Sequence, residues 1–227
     1  MKALIFDFDG LILDTETPEF EAWQAIYHEF GQELDPQIWG QFVGGAGATD
    51  FSPVTHLEAL LGAPVNGAAL QARARAEALV RIHQMAPLPG VEETLTAARR
   101  LGLRLAIASS SPHAWVEGHL LRLGLLSYFE AFLCREDVAA GRTKPHPDLF
   151  LAALQALGIA PGEALIFEDS PNGVLAARRA GVRVVAVPNP LTARLAMSGE
   201  TLRLASLAGQ DLPTLLARAD GGLLASG

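Results

Sequence analysis

The sequence predicts an α/β fold: a Rossmann-like parallel sheet with helices on both faces and a helical domain inserted after the first strand. Three observations predict it. Apolar runs of strand length recur and alternate with segments of helical period, the pattern of a parallel sheet. The first run flows straight into Asp7-Phe8-Asp9-Gly10, so carboxylates stand where a parallel strand ends, which is where open α/β sheets bind ligands. Between the first run and the second lie roughly ninety residues, far more than a crossover helix needs.

Taken in order, the expected strands are Ala3 to Phe6, Leu103 to Ala108, Ala131 to Cys134, Ala164 to Phe167 and Val182 to Val187. Each is a short apolar run of the kind a doubly covered strand requires. In the long gap, Pro18 to Phe30, Pro53 to Leu61 and Ala68 to Met85 have helical composition and spacing. They are broken by the glycine-rich stretch from Gly40 to Gly47 and by Gly62-Ala63-Pro64, and Leu88-Pro89-Gly90 closes the return. The division expected is therefore a core of residues 1–14 and 88–227 and a helical domain of residues 15–87. Within the core, Val91 to Leu101 and Pro147 to Leu157 read as helices. Two more helices are announced by their starts, Ser109-Ser110-Ser111-Pro112 and Asp169-Ser170-Pro171-Asn172-Gly173, each with a capping side chain ahead of a first-turn proline. Ala219 to Gly227 reads as a small-residue terminus.

Composition narrows the partners. With 17 basic against 25 acidic residues the net charge is −8 and the pI near 5.2, so a polyanion such as nucleic acid is not expected as a ligand. Cys134 is the single cysteine, which excludes an internal disulfide. Asp7 and Asp9 interrupt the first apolar stretch, so it does not read as a cleaved leader, and no run approaches the roughly 20 apolar residues of a membrane span. A cytoplasmic protein without a membrane partner is expected, with a monomer favoured. Lysine is rare: Lys2 lies at the terminus and Lys144 in the loop Lys144-Pro145-His146-Pro147, while every other basic side chain is arginine apart from histidine. The six histidines lack metal-ligand spacing, so no zinc is expected.

The polar residues at the expected strand ends suggest one chemistry. Asp7 and Asp9 follow the first strand, Ser109 the second, and Glu168 and Asp169 the fourth, with Lys144 between. Four carboxylates at one sheet edge would repel, which implies a hard cation such as Mg²⁺. The two helix starts, with free N–H groups and partial positive charge, suit a phosphate. In phosphoryl transfer an anionic nucleophile needs the charge on phosphorus neutralised and the groups held in line. Asp7 is the candidate nucleophile, forming an acyl phosphate that water later cleaves. Asp9 is the candidate acid and base, Lys144 the cation against phosphate and Asp7, and Ser109 a donor to a phosphoryl oxygen.

These residues resemble the haloacid dehalogenase-like superfamily, in its branch of phosphatases and phosphomutases with a small helical cap. The resemblance is carried by Asp7-Phe8-Asp9-Gly10-Leu11-Ile12-Leu13-Asp14-Thr15-Glu16, Ala106-Ile107-Ala108-Ser109, Lys144-Pro145-His146-Pro147-Asp148-Leu149-Phe150 and Phe167-Glu168-Asp169-Ser170-Pro171-Asn172-Gly173, in order along nearly the whole chain. It implies catalysis by Asp7, Asp9, Ser109 and Lys144. It implies Mg²⁺ on Asp7, the main-chain carbonyl of Asp9 and Asp169, with Glu168 in or beside the shell. Substrate would touch Thr15, Glu16, Ser109, Ser110 and Lys144, and the inserted helices would form a lid.

Within that branch the expected activity is a Mg²⁺-dependent phosphatase acting on a small phosphorylated metabolite, a sugar phosphate or similar phosphomonoester, through an aspartyl phosphate. True dehalogenases resemble this chain but lack an acid where Asp9 stands. A phosphonate-cleaving member uses a cap lysine, and residues 14–88 contain none. A β-phosphoglucomutase-like phosphomutase is the nearer alternative; it carries a cap histidine where this chain has Glu19, and cap basic groups that the turn from Gly44 to Asp50 lacks. A non-catalytic module holding a phosphorylated ligand is the alternative of another class. Glu16, Glu19, Trp23 and the Gly44 to Asp50 turn are expected to line the cap pocket. Arg73, Arg75 and Arg81 are expected on the wet face of their helix, and Trp23 in the cap interior.

Overall fold

The computed structural model describes residues 1–40 and 52–221. Strands β1 (Ala3–Phe6), β2 (Arg104–Ala108), β3 (Ala131–Leu133), β4 (Ala164–Glu168), β5 (Arg183–Ala186) and β6 (Leu202–Arg203) form one sheet in the order β3-β2-β1-β4-β5-β6. Every pairing is parallel. The sixth strand was not expected from the sequence, because two residues carry no readable period; its pairing with Val185 and Ala186 is what defines it.

Side chains alternate across the sheet, as the period of two requires. Leu4, Phe6, Leu105, Ile107, Leu165, Phe167 and Val185 point into one buried cluster. Ala3, Ile5, Ala106, Ala108, Ala164, Ile166, Val184 and Ala186 point into the other. The first face is rich in bulky residues, and Phe6 stacks on Phe167 at 4.8 Å between ring centroids. The second is rich in alanine and receives α7 (Asp148–Leu157) and α8 (Pro171–Arg179) through Leu149, Phe150, Ala153, Val174 and Ala177.

Among the described residues, four helices lie between β1 and α5 (Val91–Arg100), the helix that leads into β2: α1 (Glu16–Glu29), α2 (Pro36–Trp39), α3 (Pro53–Leu61) and α4 (Gly67–Ile82). Asp35, Ser52 and Asn66 cap the last three through their side chains. Phe20, Trp23, Ile26, Leu57, Ala74 and Ala78 bury these helices in the bulky cluster. Helix α2 was missed by the sequence reading, being a single turn started by Asp35-Pro36. The turn from Gly44 to Asp50 lies outside the described residues. The remaining helices are α5 (Val91–Arg100), α6 (His113–Arg122) and α9 (Leu212–Gly221). Helix α9 reaches further than the expected small-residue terminus allowed, because Leu212, Leu215 and Ala219 share a buried face. Among the described residues no helix is long and apolar enough to cross a membrane.

The strand order reverses at β1, whose neighbours are β2 on one side and β4 on the other. A crevice forms outside the carboxyl ends of the strands at such a point. Register decides what meets there: Phe6 pairs with Ile107 and with Phe167, so Asp7 lies level with Glu168, and Ser109 stands one residue past Asp7 on the other flank.

Candidate active site

Asp7 continues β1, its N–H donating to the carbonyl of Phe167 at 3.0 Å. The chain then turns tightly: the carbonyl of Phe8 accepts from Ile12 at 2.9 Å, and Gly10 N–H donates to Leu13 at 2.7 Å. Gly10 is required twice over. Its φ of +77° lies in the left-handed region, and a Cβ there would come within 2.3 Å of Asp169 Oδ2. The glycine lets the first acid loop close against the second acid pair. Gly173 does the same for Glu168, whose carboxyl would lie 1.8 Å from an added Cβ.

Lys144 joins the acids of the two strands. It is 1% exposed, and its ammonium lies 2.5 Å from Asp7 Oδ1 and 2.6 Å from Glu168 Oε1. The other oxygen of Glu168 accepts from Asp169 N–H at 2.9 Å, Ser170 N–H at 3.0 Å and the Ser170 hydroxyl at 3.0 Å. Glu168 is thus fully engaged, holding the lysine with one oxygen and the start of α8 with the other. Asp169 differs. Asn189 Nδ2 donates to its Oδ2 at 2.9 Å, with the Thr192 hydroxyl at 3.4 Å, while its buried Oδ1 has no hydrogen-bond partner among the described residues.

Electrostatics agree with that inventory. Burial raises Asp7 to about 8, against the pull of Lys144, with Glu168 and Asp9 adding to the rise. Burial also holds Asp169 well above the usual carboxylate range, reinforced by Glu168 and Asp7. For Lys144, burial alone would lower the ammonium, but Asp7 and Glu168 outweigh it and raise the group. Asp7, Glu168 and Asp169 offer oxygens within 4.8 Å of one another. Three carboxylates against one ammonium leave two negative charges, the charge of one divalent cation. The orphaned Asp169 Oδ1 is the oxygen such an ion would satisfy, and an all-oxygen donor set suits a hard cation. The residues present fit Mg²⁺.

Asp9, two residues beyond Asp7, is gathered by four donors. Its Oδ1 accepts from the Thr15 hydroxyl and from Trp115 Nε1, both at 2.8 Å. Its Oδ2 accepts from Ser111 Oγ at 2.6 Å and Ser109 Oγ at 3.3 Å. The sequence reading brought Asp7, Asp9, Ser109, Lys144, Glu168 and Asp169 together, and the structure places all six around this edge. Ser109 is buried and Ser110 half-buried beside it. Thr15 was expected to touch substrate; it is buried, and its hydroxyl is spent on Asp9. Glu16 is half-buried, and desolvation, then Glu19, Asp9 and Asp7, keep its carboxyl well above normal.

Four residues at this edge escaped the sequence reading: Asn189, Thr192, Ser111 and Trp115. Asn189 and Thr192 follow β5 in a stretch without a motif, and only the sheet order brings that loop to Asp169. Ser111 was readable as part of a triple serine, though nothing in it marked a contact to Asp9.

Toward α1 and α4 a cavity of about 260 Å³ is lined by Glu19, Trp23, Trp39, Gln71, Ala74 and Arg75. Arg75 pairs with Glu19 and also places its guanidinium carbon 4.4 Å from the centroid of the Trp115 ring. Arg73 and Arg81 instead pair with Glu29 and Glu21 at the surface, as expected of a wet face. Trp23 is 8% exposed and packed in the bulky cluster, so it serves the interior as well as the cavity wall.

A reversing parallel sheet with a buried carboxylate and lysine cluster at its carboxyl edge defines a Rossmann-like α/β enzyme. The family model for haloacid dehalogenase-like hydrolases matches residues 1–181, and the chain belongs to that family. The protein YhcW of Bacillus subtilis is 44% identical over 216 residues, covering 95% of this chain and 96% of that one. The fructose-1-phosphate phosphatase YqaB of Escherichia coli is 33% identical over 186 residues, covering 81% and 95%. Among solved structures, CbbY from Rhodobacter sphaeroides in complex with xylulose-(1,5)bisphosphate is similar with a TM-score of 0.68 and 25% identity, covering 92% of this chain and 96% of that one. The chain is a hydrolase with phosphatases among its relatives.

Proposed function

We propose that the protein is a Mg²⁺-dependent phosphomonoesterase that hydrolyses a small phosphorylated metabolite, a sugar phosphate or similar alcohol phosphate, by way of an aspartyl phosphate on Asp7. The observation that carries this reading is the buried set of Asp7, Lys144 and Glu168 beside an Asp169 oxygen that lacks a partner among the described residues. A structural ion pair has no use for that last oxygen. YqaB and the "Phosphorylated carbohydrates phosphatase" of Thermotoga maritima, 31% identical over 192 residues, support the substrate class.

In this reading Lys144 occupies Asp7 Oδ1, so the oxygen that attacks phosphorus is Oδ2. Asp7 Oδ2 forms a bond to phosphorus as the bond to the ester oxygen breaks, and Asp9 gives that oxygen its proton. Asp9, now a carboxylate, takes a proton from the water that cleaves the acyl phosphate, which returns both acids to their first state. Ser109 and Lys144 hold the phosphoryl oxygens. Asp7, Asp169 and the Asp9 carbonyl would hold Mg²⁺, with Glu168 next to the shell through Lys144; the ion would supply the positive charge that lets an anion approach phosphate. Residues 15–87 would act as the lid over a core of residues 1–14 and 88–227.

The test is release of inorganic phosphate from a panel of sugar and polyol phosphates with and without Mg²⁺. Turnover that disappears in Asp7→Asn is expected; an Asp7→Asn enzyme as active as the parent overturns the reading. Conversion of a sugar 1-phosphate to its 6-isomer with negligible phosphate release would select a mutase instead. Glu19, where the mutase pattern has a histidine, is already committed to Arg75.

A further inference from the structure

The chemistry of Asp9 depends on which of its two oxygens carries the proton, and its four partners are not equivalent. Hydroxyl groups donate or accept, so Thr15, Ser109 and Ser111 can each reverse. An indole N–H only donates. Trp115 Nε1 lies 2.8 Å from Oδ1, so a proton on Oδ1 would have to turn to Thr15, reversing that bond, and would leave the indole N–H with a poorer acceptor. On Oδ2 the proton leaves that acceptor intact, and Ser111 Oγ at 2.6 Å can turn to receive it.

The indole is itself clamped. Its face carries the guanidinium of Arg75 from α4, 4.4 Å from the ring centroid, and Arg75 is tied to Glu19 of α1. Its other contact is the buried His119, edge-to-face at 4.2 Å between centroids. A cation over the ring also draws electron density from it and strengthens the N–H as a donor.

We propose that Trp115 is a positioning residue that fixes the proton of Asp9 on Oδ2, beside Ser109, and that Arg75 holds the indole in the orientation this needs. The proposal rests on the role given above to Asp9. In the first step the Oδ2–H bond breaks, the proton passes to the ester oxygen, and that oxygen departs from phosphorus as the alcohol. Oδ1 remains an acceptor throughout. Helix α4 thereby bears on the acid through Arg75 and the indole, in addition to the direct bond from Thr15 at the start of α1.

The decisive variant is Trp115→Phe, at a half-buried position, which keeps a ring and deletes the N–H. Two substrates separate the roles, both read in a single turnover with Mg²⁺ so that only transfer to Asp7 is timed. A sugar or polyol phosphate has a leaving group that needs a proton; p-nitrophenyl phosphate has one that leaves as the anion. Trp115→Phe is expected to slow the first by about tenfold or more and the second by less than twofold, since general acid catalysis is worth roughly a hundredfold or more. An equal loss on both substrates, as from general damage to the site, overturns the proposal, and so does no loss on either. Should the variant not fold, Arg75→Met, at a half-exposed position, is read in the same way. Asp9→Asn tells the two levels apart. If it retains full activity on the alkyl phosphate, the role of Asp9 fails; if it is inactive there while Trp115→Phe is unimpaired, only the role of Trp115 fails.

Discussion

Charged pairs at the carboxyl edge of the sheet and charged pairs between α1 and α4 are built from the same groups and serve opposite ends. Lys144, Asp7 and Glu168 are at most 4% exposed at their side chains, and each oxygen of Glu168 has a fixed partner. Arg73 with Glu29 and Arg81 with Glu21 are between 39% and 56% exposed. In the first region an ammonium and its carboxylates have left water and depend on one another. In the second, water is an adequate substitute for either partner. The contrast shows how one chain keeps the groups at the sheet edge out of water while leaving the pairs between α1 and α4 in it. Arg75 lies between the two regimes: half exposed, it pairs with Glu19, lines the cavity, and touches Trp115.

The comparison breaks most sharply at Lys144. Lys144→Met leaves two carboxylates buried without their cation, and is expected to lower stability by roughly 3–5 kcal/mol in denaturant titrations. A loss under 1 kcal/mol would place this pair in the same class as the surface ones.

Next is the cation. Without the ion, the folded protein keeps a proton on Asp7 up to about 8, whereas the unfolded chain releases it near 3.8. The folded state therefore binds more protons in this window, and the stability of the ion-free protein falls as pH rises from about 4 to about 8. Mg²⁺ replaces those protons, so its stabilisation should be larger at pH 8 than at pH 5, reaching about 2.7 kcal/mol at a hundredfold excess over its Kd. Melting curves at both pH values, with Mg²⁺ and with chelator, measure it. A gain that is independent of pH would separate the ion from these acids.

Smaller again is Gly173→Ala. The added Cβ would lie 1.8 Å from the Glu168 carboxyl, so Glu168 must give way and loosen Lys144. A loss of roughly 1–3 kcal/mol is expected, together with lower kcat, and full retention of both would show the carboxyl free to move. The smallest effect should come from Arg73→Gln, which removes the partner of Glu29 at the surface. Less than about 1 kcal/mol is expected in the same titration, fading with added salt; a larger, salt-insensitive loss would erase the distinction between the regions.

Much of this was legible beforehand for identifiable reasons. A buried strand flanked by helices reads as an apolar run, so β1 to β5 were found, β1 to the residue. The two-residue β6 and the one-turn α2 were not, since neither is long enough to display a period. Capping chemistry is local, so Ser170 ahead of Pro171 foretold α8, and its side chain accepts from Gly173 N–H at 3.1 Å. The six residues of the candidate site could be named because each stands at a strand end or in a loop beside one. Their partners could not, as Asn189 and Trp115 lie 20 and 106 positions from the acids they hold.

The linear order of residues settled the class of fold, the edge of the sheet where chemistry would gather, and the types of group available, because period, turn chemistry and strand-end acids are properties of neighbouring residues. Which groups touch was decided only by the sheet order and register. Parallel pairing of β1 with β4 set Asp7 level with Glu168 and let Lys144 reach both, and the packing of α4 against the core brought Arg75 over Trp115. Those contacts join segments far apart in the chain, and the free energy that selects them comes from burying both faces of the sheet at once, a quantity no short stretch of sequence contains.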